Sequence, residues 1–264
     1  MTRPRLIVSD LDGTFLRPDG TISPTNQTAV ARAAEFGIPF VAATGRPIRW
    51  LGPVTECGYA HPLVIASNGA VLWDSAAGKA VEHSGIDRDC ARQLVERLHE
   101  GIPGLSLGLE TVNGFRCEPG TPTYEPEPEI AATPDLLATT EPVLKILGFH
   151  LELGSAALDE RATVLVGDLA TVTHSAVDFP GLMEISALGV SKASALVRLC
   201  ERLGIDASEV AAFGDMPNDT AMLTWAGMPH VVANGHPSLL AAGFPVVGSN
   251  AEDGVGRQIL ALLD

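Results

Sequence analysis

The stretch VSDLDGTF, residues 8–15, constrains the fold of this chain more than any other. Leu6, Ile7 and Val8 make an apolar run that reads as a buried strand. The run ends on two carboxylates two residues apart, Asp10 and Asp12, followed by Gly13 and Thr14. Burying a carboxylate is costly, and neighbouring carboxylates repel. Residues at i and i+2 of an extended chain face the same way. One turn off the strand tip therefore brings both acids to one spot, where something needs two acids.

The flanking rhythm places this strand in a parallel sheet. SPTNQTAVARAAEFG reads as a helix with Ser23 as N-cap, Pro24 at its first position and Gly37 as its stop. IPFVAATGR is a second apolar run, and PLVIASNGAVLW is a third, broken by a turn at SNG. Strand, helix, strand at this spacing predicts a parallel sheet with helical crossovers. The last third returns to the same rhythm: SKASALVRLCERLG is a helix ending at Gly204, and VAAFGD, HVVAN and FPVVGSN are short strands.

Between them, DRDCARQLVERLHEG is an amphipathic helix with Cys90, Leu94, Val95 and Leu98 on one side. The Pro/Glu-rich GTPTYEPEPEIAATPD reads as loop, whereas PVLKILGFHLE and RATVLVGDLATVTHS read as strands or strand–helix pieces. The expected architecture is α/β, a Rossmann-like parallel-sheet core (1–84 and 186–264) with an inserted α+β domain (85–185).

In an open parallel sheet, ligands bind beyond the carboxyl ends of the strands. Four predicted strand ends carry polar chemistry: Asp10 with Asp12, Thr44 with Arg46, Ser67 with Asn68, and Asp215 with Asn218 and Asp219. Asp10, Asp12 and Asp215 make a hard oxygen set that suits Mg²⁺, an ion that keeps waters and binds along with a substrate phosphate. The seven histidines show no metal-ligand pairing.

Net charge settles which partners to exclude. At −15, the chain is not expected to bind nucleic acid or an anionic membrane surface. A small anionic substrate fits if a bound divalent cation supplies the opposing field. Cys57, Cys90, Cys117 and Cys200 are scattered, which reads as free thiols in a reducing compartment. No apolar stretch has the length of a membrane span or the pattern of a signal peptide, so the expected location is cytoplasmic.

DLDGT, ATGR, the lysine of GVSKASAL and GDMPNDTAML together resemble, in order and spacing, the haloacid dehalogenase superfamily. The tail, VVANGHPSL and then SNAEDGVGRQI, resembles its Cof-type branch, which carries an α/β cap between the second and third motifs. The resemblance covers roughly residues 4–85 and 185–264; the cap matches by position and size only.

The resemblance implies a phosphoric monoester hydrolase acting through an aspartyl-phosphate, with Mg²⁺ as cofactor and a small phosphorylated metabolite, such as a sugar phosphate, as substrate. It implies Asp10 as nucleophile and Asp12 as general acid/base. Thr44 and Gly45 match its second motif and would donate to phosphoryl oxygens; for Thr44 the alternative is a helix N-cap. Arg46 either binds substrate or braces its loop. Lys192 matches the third motif, which offsets phosphoryl and nucleophile charge. The implied metal set is Asp10, Asp12 (through its backbone carbonyl), Asp215 and Asp219, the last either a ligand or a partner of one. Asn218 orients phosphate or a metal-bound water. Ser67, Asn68 and Gly69 either line the crevice or form a plain turn, and Asn234 and Asn250 read as loop-structuring. A phosphomutase would use the same core, and a silent phospholigand-binding protein would keep the fold without turnover. Dehalogenase and phosphonatase chemistry is disfavoured, because related enzymes of those types lack an acid equivalent to Asp12. Substrate identity and oligomeric state are not readable from the sequence.

Overall fold

The apolar run before Asp10 is a fully buried strand, β1 (Leu6–Ser9). Helix α1 (Pro24–Glu35) begins as expected, with the Ser23 hydroxyl accepting the Asn26 amide at 3.0 Å. Gly37, at φ +69°, ends that turn. Strand β2 (Phe40–Ala42) follows, then β3 (Leu63–Ala66), β4 (Val71–Asp74) and β5 (Lys79–His83). This computed structural model describes residues 3–52, 57, 61–122, 130–174 and 181–264. The chain forms two compact units: one runs to Val81 and resumes from Lys192 to Asp264, the other is Glu82–Ser191.

The second unit has its own sheet and its own core. Helix α2 (Arg88–Gly101) is capped by Asp87 and buries Ala91, Leu94 and Leu98. Strands β6 (Ser106–Glu110), β7 (Phe115–Cys117), β8 (Ile130–Ala132) and β9 (Lys145–Phe149) come next. Helix α3 (Ser155–Val166), β10 (Ala170–Thr173) and β11 (Leu182–Ala187) complete it. The six strands run β10-β11-β9-β6-β7-β8, antiparallel except for the β7–β8 pair. Leu94 and Leu98 of α2 and Leu158 of α3 pack with Leu107, Leu109, Ile146 and Ile185 of the sheet in one apolar cluster. Each such side chain contributes about 1.5–3 kcal/mol by leaving water. RATVLVGDLATVTHS thus divides into the end of a helix and a strand. Residues 123–129 of the Pro/Glu-rich run expected as loop lie outside the described residues, and Ile130–Ala132 of it form strand β8 instead.

The first unit resumes with α4 (Lys192–Leu203), which buries Ala195, Leu196, Leu199 and Cys200. Then come β12 (Val210–Gly214), the short helix α5 (Thr220–Trp225), β13 (Met228–Val232), α6 (Pro237–Leu240), β14 (Val246–Val247) and α7 (Gly254–Leu263). The sheet runs β14-β13-β12-β1-β2, all parallel. Ser9 stands opposite both Phe213 and Ala42, so β1, β12 and β2 finish level at one end. The PLVIASNGAVLW run departs from a simple parallel strand: β3 and β4 form an antiparallel hairpin around SNG. The hairpin still touches the parallel sheet through an Ala43–Ile65 bridge and the Thr44 amide, which donates to the Ile65 carbonyl at 2.8 Å. No helix among the described residues is long and apolar enough to cross a membrane.

Candidate active site

Register does most of the assembly. With β1 and β12 level, the residues just past their carboxyl ends, Asp10 and Asp215, meet, and the Asp10 amide donates to the Phe213 carbonyl at 3.0 Å. After Asp10 the chain leaves the strand in a turn, Leu11–Phe15, in which Gly13 has φ +76°. A Cβ at that position would lie 2.2 Å from the Asp215 Oδ2, so only glycine fits between this turn and the acid. Thr14 Oγ1 donates to Asp215 Oδ1 at 2.8 Å. This hydroxyl therefore orients an acid. Asn234 fixes the other side of the turn, donating to the Gly13 carbonyl at 2.7 Å and accepting the Asn250 amide at 2.9 Å. Both asparagines are loop-structuring, as their positions after strand ends suggest.

Lys192, at the first turn of α4, lies at the centre of the acids. Its ammonium donates to Asp10 Oδ1 at 2.5 Å and to Asp219 Oδ1 at 2.7 Å. The four groups are almost sealed from solvent, at 5% exposure for Asp10, 6% for Asp215, 0% for Asp219 and 1% for Lys192. Asp219 is fully engaged, since its Oδ2 also accepts the Asp215 and Met216 amides at 3.0 and 3.1 Å. It braces the loop after β12 and anchors the lysine.

Three buried carboxylates face one ammonium, so the site carries excess negative charge when all are ionised. Burial first, and then the neighbouring Asp219 and Asp215, push the Asp10 carboxyl well above its usual range, against the pull of Lys192. Burial and Asp219 push Asp215 up to about 7. Burial alone would lower the Lys192 ammonium, but Asp10 and Asp219 outweigh it and hold it charged. Asp10, Asp215 and Asp219 can each bring a carboxylate oxygen within 4.8 Å of the others. Acids this close need protons or a cation between them. An all-oxygen set of this kind fits a hard divalent ion. Asp219 already accepts three hydrogen bonds, whereas Asp10 and Asp215 carry fewer, so those two keep the most lone-pair capacity to hold it, with Asp219 as a third candidate.

Asp12 does not join this cluster through its carboxylate. Its side chain is 56% exposed and is clamped by the Arg46 guanidinium, Nε to Oδ2 at 2.7 Å and Nη2 to Oδ1 at 2.6 Å. The bond to Asp12 raises the already high guanidinium pKa, against the effect of partial burial. Arg46 also donates to the Trp50 carbonyl at 3.1 Å, so it braces its loop and holds Asp12 at once. Thr44 is buried, and its Oγ1 accepts the Arg46 amide at 3.0 Å. This is an i/i+2 hydroxyl turn and not a helix N-cap, because the next helical turn, Ile48–Trp50, begins after Pro47 with no side-chain cap. Gly45 is the half-buried residue between them. Asn218 is buried on the turn before α5 and donates to Asn68 Oδ1 at 3.1 Å. This contact joins residues 150 apart in sequence, and no local pattern announces it.

A profile of the haloacid dehalogenase-like hydrolases matches residues 7–259. The chain belongs to that family. Among its relatives is the 5-amino-6-(5-phospho-D-ribitylamino)uracil phosphatase YcsE of Bacillus subtilis, 27% identical over 256 residues that cover 97% of this chain and 94% of that protein. The pyridoxal phosphate phosphatase YbhA of Escherichia coli is 29% identical over 274 residues, 98% of each chain. The fold matches that of SMU.1108c from Streptococcus mutans, with a TM-score of 0.85 at 22% identity, over 98% of this chain and 99% of the other. Both relatives are phosphatases and match along nearly their whole length, as this chain does along its own.

Proposed function

We propose that this hydrolase is a Mg²⁺-dependent phosphatase that cleaves a small phosphomonoester through an aspartyl-phosphate on Asp10. The observation that carries the reading is the buried cluster of Asp10, Asp215 and Asp219 around Lys192 at one end of the parallel sheet. A carboxylate oxygen of Asp10 attacks phosphorus, and the ester P–O bond breaks. Asp12 gives a proton to the leaving oxygen. It then takes a proton from the water that attacks phosphorus, the aspartyl P–O bond breaks, and inorganic phosphate leaves. Lys192 balances charge on Asp10 and the phosphoryl group. Thr44, Gly45 and Asn218 orient the phosphoryl oxygens or a bound water, and Arg46 holds Asp12. Mg²⁺, held by Asp10 and Asp215 with the Asp12 carbonyl, would supply the positive charge that makes this density of anions tolerable.

The substrate class is a small phosphorylated metabolite. The two relatives' names specify different ones, a ribityl phosphate and pyridoxal phosphate. The insertion, read from sequence as 85–185, is assigned the choice among leaving groups, as the cap of a Cof-type enzyme.

The decisive experiment is a phosphate-release screen of purified protein against a panel of small phosphomonoesters, with Mg²⁺ and with EDTA. The expected result is release from several members, lost in EDTA and restored by Mg²⁺. Replacing the insertion with a short linker should flatten preferences across the panel while sparing a small aryl phosphate. Turnover only with an added bisphosphate would mean a phosphomutase, and phosphate-ester binding without release a silent binding protein.

The raised Asp215 carboxyl adds a pH prediction. Protonated Asp215 cannot hold a cation, so protons and Mg²⁺ compete near pH 7. Without Mg²⁺, the raised carboxyl contributes stability at low pH that is lost as pH climbs through about 7. The Mg²⁺-induced rise in Tm should therefore be small at pH 5 and grow towards pH 8. An equal rise at both would remove Asp215 from the metal set.

A further inference from the structure

We propose that Asn68 is a positioning residue: from a strained turn it aims the Asn218 carboxamide, with its carbonyl oxygen turned away from Asn68, at the ligand of the phosphoryl site. The proposal rests on the phosphatase reading above and adds a residue to it.

The first observation is backbone strain. Ser67 and Asn68 are consecutive non-glycine residues at φ +49° and φ +54°. An L side chain pays for that conformation, and such residues persist where the surroundings over-determine them. A turn selected only to connect β3 and β4 would use glycine there, yet glycine comes only afterwards, at Gly69. The turn is tied to the second motif, with the Ser67 amide donating to the Arg46 carbonyl at 2.9 Å and the Asn68 amide to the Thr44 carbonyl at 3.0 Å.

The second observation is the state of the side chains. Asn68 is buried, and its Oδ1 accepts from Asn218 Nδ2 at 3.1 Å. That bond fixes which way the Asn218 amide faces, and it leaves Asn218 Oδ1 buried with no partner among the described residues. Ser67 Oγ, also fully buried, is in the same condition. Most buried polar side-chain atoms are paired, and of the six among the described residues that are not, these two lie beside the acid cluster. Two orphans on the turns that flank Lys192, since α4 packs against both Ser67–Gly69 and Pro217–Asp219, call for a ligand. Asn218 Oδ1 accepts only, so its ligand is a donor: a bound water, or the P–O–H of a protonated phosphate. Asn68 thereby couples the Thr44–Arg46 loop to the Asn218 amide.

Asn68→Gly separates this role from a structural one. Glycine takes φ +54° without strain, so Tm should hold or rise. The kcat on p-nitrophenyl phosphate should nonetheless fall roughly ten- to a hundredfold, the scale of a misplaced catalytic group, with KM little changed. The double variant Asn68→Gly/Asn218→Ala should be no slower than Asn218→Ala alone, because the two act as one unit. Asn68→Asp keeps both an acceptor and tolerance of the left-handed region, and should retain more activity than Asn68→Gly. Calorimetric binding of inorganic phosphate in Mg²⁺ gives a readout that needs no turnover: Asn68→Gly and Asn218→Ala should weaken it alike. Full kcat in a folded Asn68→Gly protein, multiplicative losses in the double variant, or unchanged phosphate affinity would each overturn the proposal. A wild-type protein that binds phosphate but releases none from any ester would instead sink the phosphatase reading, and the phosphate titrations would still decide the role of Asn68.

Discussion

Asp10→Asn should abolish turnover, by on the order of 10⁶ if the carboxylate is the nucleophile, while leaving a folded protein with an unchanged spectrum. The amide is nearly isosteric but attacks phosphorus poorly. Folding should not suffer, and the reason is specific to this site. Losing one partner of a buried ion pair normally costs about 3–5 kcal/mol, because the other charge is stranded. Here Lys192 keeps Asp219 at 2.7 Å and can still donate to the new amide oxygen. The substitution also removes one of three buried carboxylates that face a single ammonium, where burial first and then the neighbouring acids raise Asp10. Without Mg²⁺ the variant should therefore match or exceed the wild-type Tm; in saturating Mg²⁺ it should fall behind, having lost a ligand. Near-normal phosphate release by a folded variant would remove Asp10 as nucleophile. A collapsed Tm without Mg²⁺ would show that the ion pair, and not the crowding of acids, dominates the energetics.

The parts of this site that sequence reveals are those fixed by local pattern and sheet order. The apolar run before Asp10, the Ser23 cap and the close of α4 at Gly204 each follow from a few neighbouring residues. A parallel sheet then brings Asp10 and Asp215 together, because Ser9 and Phe213 share a register. The parts that escape sequence depend on which rotamer meets which partner across the fold. Asp12 and Asp10 lie two residues apart and look equivalent in sequence. In the structure one is buried on Lys192, and the other is held at the surface by Arg46. Nothing local to Asp219 shows that both its oxygens are spent on Lys192 and the loop amides. SNG is a turn by any sequence rule, but the left-handed strain at Ser67 and Asn68 appears only with coordinates. The hairpin β6–β7 of the second unit likewise shows its pairs only through the register, with Gly108 opposite Cys117 and Glu110 opposite Phe115.

The separation of the two acids sets up the second large effect. Asp12→Asn should lower kcat roughly 10²–10⁴, the usual worth of general acid/base help. The loss should be unequal between substrates. An alkoxide leaves only if it receives a proton, whereas a nitrophenolate leaves nearly unaided, so the first step should suffer far more with an alkyl phosphate. The structure places Asp12 well for this division of labour. Its side chain is 56% exposed and stands outside the cluster of Asp10, Asp215 and Asp219, and Arg46 grips both its oxygens. A group so placed can exchange protons with water between the two chemical steps, which the buried Asp10 cannot do. Arg46→Ala should therefore reproduce part of the Asp12→Asn loss on alkyl esters, by freeing the carboxylate to wander, with a smaller effect on aryl esters. Stability should change little in Asp12→Asn, whose side chain is 56% exposed, and more in Arg46→Ala, which also loses the bond to the Trp50 carbonyl. Equal losses on alkyl and aryl phosphates would count against proton transfer by Asp12 and would leave it a purely electrostatic or structural part in the site.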